Sequence, residues 1–449
     1  MKNRFGRYVD KKVTILGYGR TGKALAELMT NIGARVFISE VSDLEELANS
    51  GYEYETGGHS ERVFDCDIML PSPGLSLSSR VLMRAKELGI EIRGEIDFSA
   101  ELLPCPYISV TGTSGKSTTT SLIATMLNDY GVTSYPVGNI GDSVANYVLT
   151  AQQDWVLSIE VGSPMCELMD TFHPKVGVFL NLSEDHLDRH GTMEIYAQMK
   201  QKILRFMTHE DTVVLNYDDS WSRSLAKKTN AKKLFFSSFP NQNVKAYIDN
   251  DGLVVGSKVF ARMDEFKLKG RYNATNILAA TLACSHFGVP VEKAIESVKT
   301  FKSLKHRLEL IGEWGGIKFI NDSKSTKPDS TILTMKTLES PFILILGGSE
   351  KGSDFTKLAE SMAGVKLAIV HGVTADKIIK SLEKAGYKKY GRVGNQEEAI
   401  RLAIRNASKG DTVLLSPACA SFDQYRDFEE RGELFEKEVR SLAPKTLGS

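Results

Sequence analysis

Lys116 and Ser117 sit near the end of Gly112-Thr113-Ser114-Gly115-Lys116-Ser117-Thr118, a run of small residues carrying one cation and several hydroxyls. Such a loop suits a polyphosphate. The preceding Tyr107-Ile-Ser-Val110 reads as a short buried strand. Residues 117–127 read as a helix, with Leu122, Ile123, Met126 and Leu127 at helical spacing. Strand, loop and helix start together set backbone N–H groups at the positive end of a helix dipole. Lys116 would then reach the β/γ-phosphates, and the Ser117 hydroxyl would hold Mg²⁺. The general phosphate-loop pattern is met only in part. Its first glycine should stand at Val110, whereas here Gly112 opens a shorter loop. The bland alternative is a Ser/Thr-rich helix start with an incidental lysine; a nucleoside triphosphate site is the better reading.

Further oxygen and nitrogen ligands follow at strand ends. Trp155-Val-Leu-Ser-Ile159 leads into Glu160, and Val176-Gly-Val-Phe-Leu180 into Asn181 and Glu184-Asp-His186-Leu-Asp188. Carboxylates beside a phosphate loop suit Mg²⁺, which takes oxygen ligands and keeps part of its water. Glu160 reads equally well as a solvated strand end, and His186 as part of a surface turn. Lys200, on a helix expected over residues 194–206, reads as a solvated face lysine, and Asn273 as a cap for the helix opened by residues 270–277. Nearer the start, Lys12-Val-Thr-Ile-Leu16 precedes Gly17-Tyr-Gly19-Arg20-Thr21-Gly22, and Val36-Phe-Ile-Ser39 ends at Glu40. Glycines for a tight turn with an acid about 20 residues on match a dinucleotide fingerprint. An NAD site, a nucleotide-diphosphate-sugar site and a ligand-free βα turn all fit. A second turn, Pro71-Ser72-Pro73-Gly74-Leu75, closes the strand Asp67-Ile-Met-Leu70, and residues 97–106 read as a connection onward.

To position these groups the chain needs several cores. At 449 residues it is too long for one. Strand and helix patterns alternate from Tyr107, become less regular up to Leu268, and restart at Gly316-Ile-Lys-Phe-Ile320, Pro341-Phe-Ile-Leu-Ile-Leu346, Leu367-Ala-Ile-Val370 and Thr412-Val-Leu-Leu415. The expectation is an α/β chain of doubly wound, mostly parallel sheets. Hydrophobic content of 42%, charged content of 25% and zero formal net charge are those of a soluble globular protein with no nucleic-acid footprint. Five scattered cysteines argue for a reducing compartment. No signal-type segment and no run near the roughly 20 apolar residues of a membrane helix is present, so a cytoplasmic protein without membrane insertion is expected.

Six motifs occur in one order: residues 110–118, Glu184-Asp-His-Leu-Asp-Arg-His190, Tyr272-Asn-Ala-Thr-Asn276, His306-Arg-Leu-Glu309, Asn321-Asp-Ser-Lys324 and Leu415-Ser-Pro-Ala-Cys-Ala-Ser-Phe-Asp423. Over essentially the whole chain they resemble the Mur ligases, ATP-dependent amino-acid ligases of peptidoglycan precursor synthesis. Residues 416–423 and Phe428-Glu-Glu-Arg-Gly432 resemble the branch that adds D-glutamate to UDP-N-acetylmuramoyl-L-alanine. The resemblance implies three domains: a UDP-binding Rossmann-like domain over 1–98, a central P-loop-type ATPase domain over 99–304, and a Rossmann-like amino-acid-binding domain over 305–449. It makes NAD unlikely and implies that Gly17, Gly19, Arg20, Thr21, Gly22, Ser39, Glu40, Ser72, Pro73, Gly74 and Asn139 hold the UDP substrate. Residues 112–118 with Asn276, Arg307 and Asp322 would hold ATP, between the second and third domains. Lys324, Thr326, Lys351, Ser421, Phe422 and Phe428 would hold D-glutamate. Lys200 falls where the family carries a carbamate formed with CO₂. Ser117 and Glu160 would serve one Mg²⁺, and His186 with carbamylated Lys200 a second. Lys116, Glu160, His186 and Lys200 are the expected catalytic set, in a monomer.

Two departures stand out. Glu160-Val-Gly162-Ser-Pro-Met165-Cys-Glu167 has glycine and methionine where the family usually has serine and glutamine, which puts sugar-nucleotide contacts there in question. Lys327 replaces a usual asparagine. The competing readings are a sister Mur-type or folylpolyglutamate-type ligase and an NAD-dependent dehydrogenase.

Overall fold

The computed structural model describes residues 4–185, 187–301, 304–338, 341–350 and 352–447, so His186 and Lys351 lie outside the described residues. The chain divides into two compact units, Met1–Phe301 and Lys302–Ser449. The architecture is α/β, with mostly parallel sheets.

The first unit holds two sheets. In the smaller, five parallel strands lie in the order Glu53–Glu55, Arg35–Ser39, Lys12–Leu16, Ile68–Pro71, Glu91–Ile92. The apolar run of Lys12–Leu16 forms the central strand because helices cover both faces of a parallel sheet, leaving no solvated face for polar residues. The helix Arg20–Asn31 follows at once. That turn requires glycine: Gly17 has φ +96°, and a Cβ on Gly22 would come within 2.0 Å of the Gly17 carbonyl oxygen.

The larger sheet has nine strands among the described residues: Lys258–Arg262, Gly252–Val255, Ala246–Asp249, Lys232–Ser237, Thr212–Asn216, Val176–Phe179, Tyr107–Thr111, Leu157–Glu160 and Pro136–Gly138, in spatial order. The less regular region thus resolves into four strands. Its last three form an antiparallel meander of four- and five-residue strands, too short to show much hydrophobic period.

The segment expected as a connection over residues 97–106 is largely a helix, Glu95–Leu102, and the expected boundary between residues 98 and 99 falls inside it. Phe98 and Leu102 enter the core of the smaller sheet, while Ile96 and Ala100 enter that of the larger. Its buried Asp97 accepts from the Arg93 guanidinium at 3.0 Å and the Thr171 N–H at 2.8 Å. A second correction concerns Asn273. Gly270, with φ +95°, takes the cap of helix Arg271–Ser285, and Asn273 lies inside the first turn with its amide donating to the Lys269 carbonyl.

The second unit is one sheet, ordered Glu309–Trp314, Ile317–Asn321, Thr412–Leu415, Phe342–Gly347, Val365–His371, Tyr390–Arg392, with only the first pair antiparallel. The fully buried Arg431, on helix Phe428–Leu447, joins two strand-end loops of this sheet. It donates to Ser323 Oγ at 2.9 Å, the Ser323 carbonyl at 2.8 Å and the Cys419 carbonyl at 3.0 Å. Among the described residues no helix is long and apolar enough to cross a membrane.

His371 is also buried in this unit, and burial first, then the Arg431 charge, push its pKa down to about 4. The unfolded chain, with an ordinary histidine, takes up a proton below about pH 6.5 that the folded chain refuses until about pH 4. Stability therefore falls as pH drops through that window. Chemical denaturation should show a loss of about 2 kcal/mol between pH 7 and pH 5 from this group, and His371→Leu should flatten that dependence.

Candidate active site

The loop between strand Tyr107–Thr111 and helix Lys116–Asp129 is shaped by its neighbours as much as by its own residues. Asn181, at the end of the adjacent strand, accepts from Ser114 N–H through Oδ1 at 2.9 Å and donates from Nδ2 to the Ser114 carbonyl at 3.0 Å. Its own carbonyl takes the Thr113 N–H at 2.9 Å. The Thr113 hydroxyl meets Ser183 and, at 3.2 Å, the Tyr196 hydroxyl. Two loop amides are therefore engaged within the protein. The N–H groups that point out of the helix start, by helix geometry, are those of its first turn from Gly115 onward. Gly115 has φ +85°, and a Cβ there would lie 2.6 Å from both Asn276 Oδ1 and Tyr272 Oη. The structure thus brings Asn276 to the loop. The sequence set Asn181 at a strand end but not as a brace for the loop, a role that depends on which strand lies beside it.

Glu160 is paired in register with Val110, which puts its carboxylate beside the start of the loop. It is buried, at 1% exposure, rather than a solvated strand end. The Asn139 side-chain amide donates to Glu160 Oε1 at 2.8 Å, and the Asn139 N–H to the Glu160 carbonyl at 3.0 Å. Gly138 permits this approach, since a Cβ there would lie 2.6 Å from that carbonyl oxygen. Asn139, expected at the sugar nucleotide, is thus also the group that orients Glu160.

Lys200 is not on a solvated face. Its helix, Met193–Gln201, turns it inward to 1% exposure, where Nζ donates to Thr111 Oγ1 at 3.1 Å and the Gly112 carbonyl at 3.0 Å, over the Tyr196 ring. Burial, and next the charge of Lys116, lower its pKa to about 7. Lys116 itself donates to the Thr113 carbonyl at 2.8 Å, and Ser117 is buried in the first turn. Hydroxyl, carboxylate and amine thus converge on one loop. That oxygen-rich donor set, open at a helix start, fits Mg²⁺ with a phosphate, which keeps water and needs few protein ligands. Among the described residues no group of three His, Cys, Asp or Glu side chains forms a metal cluster of its own.

The two glycine-rich turns of the smaller sheet also meet. A Cβ on Gly17 would come 3.1 Å from Ser72 Cβ, and the Glu40 carboxylate accepts from the Tyr18 N–H at 2.7 Å. Arg20 and Thr21 open the helix beyond Gly19. A small cleft runs from Ser72, Pro73 and Leu75 to Pro164, Met165 and Arg189. Met165, one of the two residues by which the 160–167 segment departs from the family, therefore lies on its wall. Gly162, the other, has its Cβ direction 3.4 Å from Asn139 Oδ1. Arg189 bridges the two sides, pairing with both oxygens of Glu167 at 2.6 and 2.9 Å and donating to the Leu75 carbonyl at 3.0 Å.

In the second unit Lys324 lies over the Phe428 ring at 5.1 Å, Thr326 follows in the same loop, Ser421 is buried and Phe422 is 62% exposed. Asp322 is fully buried and accepts from Thr334 Oγ1 at 2.7 Å, Ser416 Oγ at 2.8 Å and the Leu308 N–H at 3.2 Å. It ties the Arg307 loop to the sheet, and its burial raises its pKa despite Arg307.

The three parts of the chain match three family models: the MurD N-terminal domain over residues 12–81, the Mur ligase middle domain over 110–284, and the Mur ligase glutamate ligase domain over 306–419. The chain belongs to the Mur ligase family. Full-length relatives within it are the UDP-N-acetylmuramoylalanine–D-glutamate ligases of Caldanaerobacter subterraneus subsp. tengcongensis, 37% identical over 96% of this chain and 99% of that protein, and of Clostridioides difficile, 36% identical over the same shares. The fold is also that of the Thermotoga maritima UDP-N-acetylmuramate-alanine ligase MurC, with a TM-score of 0.66 at 18% identity over 96% of this chain and 99% of that one.

The Gly115 packing makes a direct prediction. Gly115→Ala places a methyl group against Tyr272 and Asn276 in a left-handed conformation, so the KM for ATP should rise at least about tenfold while the folded circular-dichroism signal is kept.

Proposed function

We propose that this chain is a cytoplasmic, ATP-dependent amide ligase that joins D-glutamate to UDP-N-acetylmuramoyl-L-alanine. The observation that carries the reading is the meeting of Lys116, Glu160 and Lys200 around residues 112–118, in a chain that matches D-glutamate ligases along its whole length. Forming an amide from a free carboxylate is uphill in water, and a phosphate leaving group removes that obstacle. The γ-phosphoryl group of ATP passes to the terminal carboxylate of the sugar nucleotide, giving ADP and an acyl phosphate. The neutral amine of D-glutamate adds to the acyl carbon, and the tetrahedral intermediate expels phosphate.

The protein's part is positioning and charge neutralisation. Lys116 and the N–H groups from Gly115 onward face the negative charge that spreads over the transferring phosphoryl oxygens. Asn276, packed on Gly115, adds to these contacts, and in the second unit Arg307 and Asp322, which holds the Arg307 loop, are proposed for ATP as well. Mg²⁺, when bound, would neutralise phosphate charge, with Ser117 and the Asn139-oriented Glu160 as ligands of one ion and His186 with modified Lys200 of a second. A buried ammonium beside Lys116 is costly, and reaction of the neutral amine with CO₂ exchanges a cation for an anion there, which favours the carbamate. The sugar nucleotide occupies the turns at Gly17–Gly22 and Ser72–Gly74, with Ser39 and Glu40 at the nucleoside. D-glutamate is met by Lys324, Thr326, Ser421, Phe422 and Phe428, together with Lys351.

Phosphate release from ATP in the presence of UDP-N-acetylmuramoyl-L-alanine should appear only when D-glutamate is added, with an equal amount of amide product. Release with another amino acid instead would move the chain to a sister ligase. Lys200→Arg keeps the charge but cannot take up CO₂ in the same way; kcat should fall by about a hundredfold or more, and labelled bicarbonate should give a carbamate NMR signal in the wild type only.

A further inference from the structure

Beyond the Gly17 and Ser72 turns, the smaller sheet carries a second polar constellation at its carboxyl edge, built on Ser39, in which Glu55 and His59 have no part in the reaction described above. Ser39 ends its strand and is fully buried. Its Oγ lies 2.7 Å from Glu55 Oε1, on the neighbouring strand in direct register, and 2.7 Å from His59 Nδ1, with the Gly58 carbonyl at 3.3 Å. Glu55 accepts in addition from the Ser60 N–H at 2.9 Å and from the Ser60 hydroxyl. These bonds, together with Ser39, hold its carboxyl below the ordinary carboxylate range despite burial.

Hydrogen counting fixes the direction of the chain. A serine hydroxyl has one proton, and an ionised carboxylate can only accept. An oxygen–oxygen approach of 2.7 Å to Glu55 therefore uses the Ser39 proton. Ser39 Oγ is left with lone pairs alone for His59, so the proton between them belongs to Nδ1. In the neutral imidazole Nε2 then carries a lone pair, and the ring is a hydrogen-bond acceptor toward whatever it faces. Among the described residues Nε2 makes no hydrogen bond, and His59 is half-buried rather than packed away.

The place of this acceptor matters. The Ser39 carbonyl takes the Gly17 N–H at 2.9 Å, and Glu40, the next residue, accepts from Tyr18 N–H. The imidazole hangs from the residue that anchors the glycine turn, at the carboxyl ends of Lys12–Leu16, Arg35–Ser39 and Glu53–Glu55. In an open parallel sheet that edge is where a nucleotide lies.

We propose that His59, oriented by Ser39 and Glu55, is a specificity-determining residue that accepts a hydrogen bond from the nucleoside of the substrate. This rests on the reading of the smaller sheet as the UDP site. The donor chemistry is available from three groups of a uridine nucleotide: the imide N–H of the base and the ribose 2′- and 3′-hydroxyls. Cytosine presents a lone pair where uracil has its imide N–H, and a 2′-deoxy or 3′-deoxy sugar lacks one hydroxyl.

The test is calorimetric titration of the full-length protein with UDP, CDP, 2′-deoxy-UDP and 3′-deoxy-UDP. Wild type should favour UDP over one of the three analogues by about five- to tenfold, and which one identifies the donor. His59→Phe should abolish that preference and weaken UDP to the same extent, while the KM for ATP is unchanged. His59→Gln, which retains an acceptor, should restore part of it. Ser39→Ala, which frees the imidazole to place its proton on either nitrogen, should also erode the preference. UDP binding with all four affinities untouched by His59→Phe would overturn the role of His59 alone. Failure of the wild type to bind UDP while it still binds ATP would overturn the nucleotide reading of the sheet beneath it.

Discussion

A phosphate-binding loop must keep backbone donors turned outward while it is packed from behind, and this requirement organises the first unit. Asn181 engages both polar groups of Ser114, and its carbonyl takes the next amide. Tyr272 and Asn276 close on Gly115 from the other side, so tightly that no side chain fits there. Lys200 holds the Gly112 carbonyl. Three separate segments thus fix a run of seven residues.

The same loop explains the burial of charge around it. Taking Glu160 and Lys200 out of water is expensive for a fold alone. The cost is partly offset by Asn139 on the carboxylate and by Thr111 and Gly112 on the amine. Charged groups held this way by fixed polar partners need little rearrangement when charge develops nearby. Glu167 and Arg189 extend the arrangement to the Leu75 turn, so the cleft that includes Ser72 and Met165 is bounded on both sides by the same ion pair.

The second unit solves a related problem with other residues. Its strand-end loops converge on buried Asp322 and Arg431, one accepting and one donating several bonds. Each replaces the hydration of many backbone and hydroxyl groups at once. The exposed Phe422 and the Lys324–Phe428 pair are displayed on this scaffold.

Local pattern determined much of this protein. The glycine turn after Lys12–Leu16, the strand–loop–helix around Lys116 and the alternation of strands in the last third are legible because each depends on residues within a few positions of one another. The motif order, also a property of the chain alone, sufficed for the family. Tertiary structure decided the rest. From its own residues Lys200 read as solvated and Glu160 equally well as solvated or as a metal ligand, and only the strand order that sets Leu157–Glu160 and Val176–Phe179 on either side of Tyr107–Thr111 buries them. The helix at Glu95–Leu102 resembles a linker until two cores cover it. The bracing role of Asn181, and the Ser39–Glu55–His59 chain, carry no local signal, since their partners are remote in sequence or reached only through strand register. Burial and hydrogen-bond direction depend on what lies opposite a residue, and a linear pattern does not contain that.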